Sequence, residues 1–382
     1  MSNGNKPLTL ITRDRSVVTG KKRLEHVLTY THHPVFIACT DEPAERDVFT
    51  DMSFSICKDS GIIQLDKLIP LDVLYSKYHS EALGGLWLEH HEKFVDFLAK
   101  FFPDMVLEIG GSNCFMAEQY LKKRTSAYWT NIEPSPVPSD NPRIKVVSGF
   151  FDAAFKKTGK VDAVVHSHVL EHMYDPDAFL KNIYRLLDDG GLHIFSVPNL
   201  AKYLELGYSN CVNFEHSIFL AEYFIDHFLA KNRFAVIKKH YFHEHSIFYA
   251  ARKTEKKLDT RLASKYREYK KKFLAYARNN NKIVADINRK IVKTEGAVYL
   301  FGAHVFSQML VTLGLRTEKI KFVLDNSKIK QGKRLYGTDL LVQPPEFIRG
   351  EKKPTIILRV GAYKKEIQAQ IRSINKSTVF IE

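Results

Sequence analysis

The chain has 382 residues, 45% of them hydrophobic, and a formal net charge of +14. That length exceeds one ordinary core, so two or three domains are expected. No apolar run approaches the roughly 18 residues of a membrane helix, and Met1-Ser-Asn-Gly-Asn-Lys6 lacks an apolar signal core, so a cytoplasmic protein without a membrane span is expected.

The positive charge suggests nucleic acid only until it is located. Residues 252–295 hold 15 Lys/Arg against 5 Asp/Glu, which leaves about +4 for the rest of the chain. A lysine-rich linking helix explains that better than a nucleic-acid face, and no nucleic-acid partner is expected. Cys39, Cys57, Cys114 and Cys211 lie far apart with no Cys-x-x-Cys pair, so neither disulfides nor a zinc cluster is indicated.

In chain order, residues 1–85 carry short apolar runs and look like a small irregular or β-rich module. Ser16-Val-Val-Thr19-Gly20 and Cys57-Lys-Asp-Ser60-Gly61 keep the spacing of Cys-x-x-Cys-Gly knuckles with one cysteine left. Zinc needs about four soft or imidazole ligands, so no metal is expected. The apolar positions of Trp87 to Leu98 suit a helix that Pro103 stops.

From Val106 to about 251, strand and helix signals alternate, the pattern of a doubly wound α/β sheet. Val106-Leu-Glu-Ile-Gly-Gly-Ser-Asn-Cys114 reads as strand and glycine turn before a helix, the place where a nucleotide-like cofactor meets the carboxyl end of a parallel sheet. A second strand ends in Glu133, and two acids at adjacent strand ends suit a ribose diol. Lys145 to Gly149 is a third strand, followed by Phe151 and Asp152. Val161 to His166 is a fourth, with the exit Ser-His168-Val-Leu-Glu-His172. Leu192 to Val197 is a fifth, a helix is expected after Asn213-Phe-Glu215-His216 through about Ala230, and residues 234–238 and 246–251 close the sheet. His168-Val-Leu-Glu-His172 also fits a zinc-peptidase pattern, which needs both histidines on one long helix and is rejected here.

Leu258, Leu262, Tyr266, Tyr269, Phe273 and Tyr276 predict an amphipathic helix within 252–295. Residues 296–382 repeat the plan with Ala297-Val-Tyr-Leu-Phe-Gly302, a second smaller α/β domain.

The glycine loop, Glu133 and the Leu-Glu-His exit together resemble class I S-adenosylmethionine-dependent methyltransferases. The degenerate knuckles, Tyr78, Trp87-x-x-His90, Phe-Glu-His and the terminal Lys328-Ile-Lys-Gln-Gly332 with Tyr336-Gly-Thr338 narrow this to the sugar C-methyltransferases of deoxysugar biosynthesis. The resemblance implies a Rossmann-like central domain at 86–251, S-adenosyl-L-methionine as cofactor, and a nucleotide-linked 4-keto sugar as substrate. It implies cofactor contacts from Glu108, Gly110, Gly111, Asn113, Glu133, Phe151, Asp152 and His168. His216 is implied as base, Glu215 as its orienter, His172 as enolate stabiliser and Tyr78 as a lining group. Phe214 stands where the family tends to have tyrosine, and Cys114 at a glycine position is expected to narrow the cofactor loop. An O- or N-methyltransferase on a nucleotide sugar or surface glycan, and a non-catalytic sugar-nucleotide binding protein, are the alternatives; oligomeric state is open.

Overall fold

The computed structural model describes residues 8–75, 85–157 and 159–382. Its centre is a seven-stranded sheet ordered Phe234–Phe242, Ser246–Lys253, Leu192–Pro198, Ala163–Ser167, Met105–Ile109, Tyr128–Glu133, Ile144–Ser148. Neighbours are parallel from Leu192–Pro198 to Ile144–Ser148, and Ser246–Lys253 is antiparallel to both of its neighbours. Strand order reverses between Met105–Ile109 and Ala163–Ser167, so a crevice opens there at the carboxyl ends. The glycine turn and the histidine-rich exit flank it. No helix among the described residues is long and apolar enough to cross a membrane.

The amino-terminal module pairs Leu24–Pro34 with Phe49–Cys57 and that strand with Ile63–Leu65, all antiparallel. The two knuckles meet as their spacing suggests. Thr19 Oγ1 lies 3.8 Å from the buried Cys57 Sγ. Burial pushes the Cys57 thiol up, but hydrogen bonds from the Ser16 and Ser60 hydroxyls and nearby amides outweigh it, and the net shift is downward. A tetrahedral zinc with about 2.3 Å bonds to sulfur separates its sulfurs by roughly 3.8 Å. Ser16→Cys, Thr19→Cys and Ser60→Cys combined are therefore expected to add one equivalent of zinc over the parent protein by elemental analysis; no gain would show that the knuckles are not set for an ion.

The terminal domain is a parallel sheet ordered Val342–Gln343, Ile320–Leu324, Val298–Phe301, Thr355–Ile357, Val379–Ile381. Its Tyr336-Gly-Thr338 motif clamps the amino-terminal module. Cys39–Thr40 pairs antiparallel with Arg334–Leu335. The Arg334 guanidinium makes two bonds to Asp47, at 2.6 and 2.7 Å, and a third to the Glu42 carbonyl at 2.7 Å. Both side chains are nearly buried, so losing one partner would strand the other charge at about 3–5 kcal/mol.

The linking helix is Tyr266–Val292, shorter at its start than the apolar spacing predicts. Leu258 and Leu262 lie in the non-helical lead-in. That lead-in is pinned to the second knuckle instead: Lys265 N donates to Ser60 O at 2.9 Å, and a Cβ at Gly61 would stand 2.5 Å from the Lys265 carbonyl carbon. Phe273 packs on Phe54 and Phe219, whereas Val284, Ile287 and Ile291 enter the terminal-domain core, so one helix braces both ends.

Candidate active site

The loop after Met105–Ile109 is built around Glu108. Register sets Glu108 opposite Asn131, with Trp129 on the same face two residues back. Glu108 Oε2 accepts from Trp129 Nε1 at 2.8 Å, and the side chain is buried beneath the loop. Burial pushes its pKa up to about 8, opposed by the Trp129 bond and reinforced by Glu133. Gly111 N donates to Asn131 Oδ1 at 3.0 Å, and Gly110, at φ 76°, donates to Ile132 O at 2.8 Å. Glu133 stands at the strand end, accepting from Ser112 N and Ser135 N, each at 3.2 Å. Of the two acids read as ribose partners, Glu133 is at the rim and Glu108 is the loop's footing. Asn113 is exposed, its Oδ1 accepting from Phe115 N at 3.1 Å.

Cys114 does not narrow the loop. It takes the left-handed conformation at φ 61°, which turns its thiol into the core, where Asn131 Nδ2 donates to Sγ at 3.2 Å. Ser112 and His168 share that region of φ, at 39° and 53°. Strained backbone of this kind gathers where a ligand dictates geometry. Phe151 packs on Phe155 and Phe179, and Asp152 caps its own turn, accepting from Ala154 N at 2.8 Å and Phe155 N at 3.2 Å.

Across the crevice, Leu170–His172 forms a short turn after Ala163–Ser167. His172 Nδ1 lies 3.2 Å from Tyr75 OH and 3.8 Å from Glu215 Oε2. The His172 and His216 rings meet edge to face at 4.9 Å. His216 Nδ1 is 3.3 Å from the Cys211 carbonyl. A carbonyl only accepts, so Nδ1 carries the proton and Nε2 is the basic nitrogen. Burial holds the His216 pKa below the usual imidazole value, partly offset by Glu215 and that carbonyl. The structure thus gathers His172, Glu215 and His216; Tyr78 lies outside the described residues.

Several partners escaped sequence reading. Asn213 Oδ1 accepts from both Glu215 N and His216 N, at 2.9 and 3.0 Å, fixing the turn that presents them; the Asn-x-Glu-His spacing is the signature of such a turn. The helix expected directly after His216 starts only at Glu222–Lys231, because 217–219 runs extended beside the amino-terminal module. Leu65 N donates to Ser217 O and Phe219 N to Ile63 O. Arg13, half-buried, donates to the carbonyls of Ser217 and Tyr174, at 2.9 and 2.8 Å, and burial lowers its pKa to about 10. Tyr75 precedes Tyr78 by three residues. His304, from the terminal domain's glycine turn, is near enough to feel Glu215 and His216, and burial drives it down to about 3. No local pattern marks Arg13 or His304.

Glu171, fully buried, has one oxygen 3.6 Å from His168 Nδ1 and 4.0 Å from His172 Nε2. Burial pushes it up to about 8. A carboxyl whose folded pKa is raised contributes stability that is present below its unfolded value of about 4.3 and lost as pH rises through its folded value. Glu171→Gln lacks that loss. Its melting temperature is expected to gain on the wild type as pH goes from 5 to 8, by the equivalent of about 1–3 kcal/mol; a constant gap across that range would show Glu171 ionised throughout.

A methyltransferase domain model matches residues 86–249, and a C-methyltransferase C-terminal domain model matches residues 235–381. The C-methyltransferase NovU of Streptomyces niveus is 21% identical over 355 residues, 86% of this chain and 84% of its own. Among solved structures, an O-methyltransferase family protein from Burkholderia thailandensis is 12% identical over 45% of this chain and 57% of its own, with a TM-score of 0.38. The N-methyltransferase NodS from Bradyrhizobium japonicum, in complex with S-adenosyl-l-homocysteine, is 16% identical over 45% and 89%, with a TM-score of 0.35. Those superpositions are too shallow to bear on chemistry. The two domain models overlap over residues 235–249 and together span the sheet and the terminal domain, so the chain is an S-adenosylmethionine-dependent methyltransferase that carries a C-methyltransferase C-terminal domain.

Proposed function

We propose that the enzyme methylates a carbon beside the ketone of a nucleotide-linked sugar. The observation that carries this is the tautomer of His216: a neutral, buried imidazole whose Nδ1–H is tied to the Cys211 carbonyl and whose other nitrogen is a base. The cofactor reading fits the loop, since Gly111 keeps the crevice floor flat where any Cβ would strike Glu108, and Glu133 stands at the next strand end. Bound there, S-adenosylmethionine supplies an electrophilic methyl on a sulfonium.

The chain's own residues do the rest. His216 Nε2 takes the acidic α-proton, and the C–H electron pair becomes the enolate. His172, hydrogen-bonded at Nδ1 with Tyr75, stabilises the developing oxyanion. Glu215 offsets the charge His216 acquires. Gly110, Gly111 and Glu133 would hold the cofactor, which would supply its methyl to the enolate carbon and leave as the neutral thioether. Asn213 and Arg13 hold the base loop. A hydroxyl acceptor would need the base as well; His172 beside it, a group for an enolate oxygen, favours carbon as the atom methylated. Incubation with methyl-labelled cofactor and a panel of nucleotide 4-keto sugars is expected to give a new carbon-bound methyl by NMR. Label on oxygen or nitrogen, or only on sugars lacking the ketone, would sink this reading.

A further inference from the structure

We propose that His90, His168 and His245 form a binding site for a divalent transition-metal ion beside the cofactor crevice. The three come from separate elements. His90 is on the helix Gly85–Ala99, His168 at the exit of Ala163–Ser167, and His245 in the turn between the last two strands. One ring nitrogen from each lies within 4.8 Å of the others.

His90 is the telling residue. It is fully buried, and among the described residues neither ring nitrogen has a hydrogen-bond partner. Burying an imidazole with both nitrogens unsatisfied costs about 1–3 kcal/mol, and it is normally avoided unless something else satisfies them. Its ring faces the other two, at 5.3 Å from His168 and 5.5 Å from His245. Trp87, one turn before it, covers both of those rings edge to face at 4.8 and 4.9 Å.

The other two histidines are already oriented. The buried Ser246 hydroxyl is 2.9 Å from His168 Nε2 and 2.6 Å from His245 Nδ1, so one group steadies both rings through a nitrogen each. Metal-binding imidazoles are usually held by such an outer partner. Burial also keeps all three rings uncharged, the form that donates to a metal.

A tetrahedral ion with bonds of about 2.0–2.1 Å sets neighbouring nitrogens roughly 3.4 Å apart, so the rings close by at most about 1.4 Å on loading, within the reach of side-chain rotation. Three imidazoles and an open fourth position suit zinc, nickel or copper rather than magnesium or calcium. The ion would tie the helix, the strand exit and the hairpin turn into one wall of the crevice. This inference is independent of the substrate proposed above.

Chelator-treated full-length protein titrated with cobalt(II), as a visible stand-in for zinc, tests it. The wild type is expected to take up one equivalent with the intense visible bands of a tetrahedral site. His90→Phe, which keeps the ring packing on Phe94 and Phe248, and His245→Phe are each expected to weaken uptake at least about tenfold. His216→Ala is expected to retain it, which matters because Glu171, His172 and His216 also lie close together. Cooperative thermal unfolding of each variant shows that the fold is intact. No uptake by the wild type, undiminished uptake by both phenylalanine variants, or loss in His216→Ala would overturn the proposal.

Discussion

A His216→Ala protein is expected to lose about 10²–10⁴-fold in kcat on the proposed sugar substrate while its affinity for S-adenosylmethionine stays within about threefold of the wild type. The size follows from what is removed. The Cys211 carbonyl fixes the tautomer of His216, Asn213 holds its backbone amide, and Glu215 counters the positive charge it gains, an arrangement no other imidazole among the described residues shares. His172 is 4.9 Å away ring to ring, but its Nδ1 is engaged with Tyr75 and Glu215. Because burial lowers the His216 pKa, the acid limb of kcat/KM is expected to have its midpoint below the ordinary value of about 6.5, with a flat profile at neutral pH. Isothermal calorimetry for cofactor and a labelled-methyl assay for turnover separate the two effects. Full turnover with normal cofactor binding would remove His216 from the base role; loss of both together would point to a collapsed loop instead.

Gly111→Ala is expected to weaken cofactor binding by at least about a hundredfold, or to destabilise the protein by about 3 kcal/mol where the loop does not yield. An added Cβ would stand 2.4 Å from Glu108 Oε2 and 2.5 Å from Asn131 Oδ1. Neither atom can retreat easily. Glu108 is held by Trp129 in a buried slot, and Asn131 is used at both ends, by Gly111 N and by Cys114 Sγ. Gly190→Ala is the control. It has nothing within 4 Å of an added Cβ but sits at φ 72°, so it carries only the left-handed penalty of about 1–2 kcal/mol and leaves cofactor affinity alone. Calorimetry and thermal melts on both variants distinguish them. Equal effects would mean that the loop gives way around the added Cβ and that the carboxylate beneath it does not set the position of Gly111.

The sequence by itself determined the alternation of strands and helices, the glycine turn after Met105–Ile109, the strand ending in Glu133, the Leu170–His172 exit and the second parallel sheet. Those are local matters: buried parallel strands are written as short apolar runs, and a close approach of backbone demands glycine at a particular residue. The two helix starts it misplaced, at Tyr266 and Glu222, have one cause, since apolar spacing continues through segments that hydrogen bonds to the amino-terminal module hold outside a helix, Lys265 N to Ser60 O and Leu65 N to Ser217 O. The tertiary structure alone decided which side chains meet. It turned Cys114 inward, put Glu108 beneath its loop, brought Arg13 to the carbonyl of Ser217, set Asp47 against Arg334 and drew His90, His168 and His245 together. Each of those joins residues far apart in the chain or depends on the exact direction of one Cα–Cβ bond. Periodicity carries the face a residue occupies, and packing between elements sets the partner it finds there.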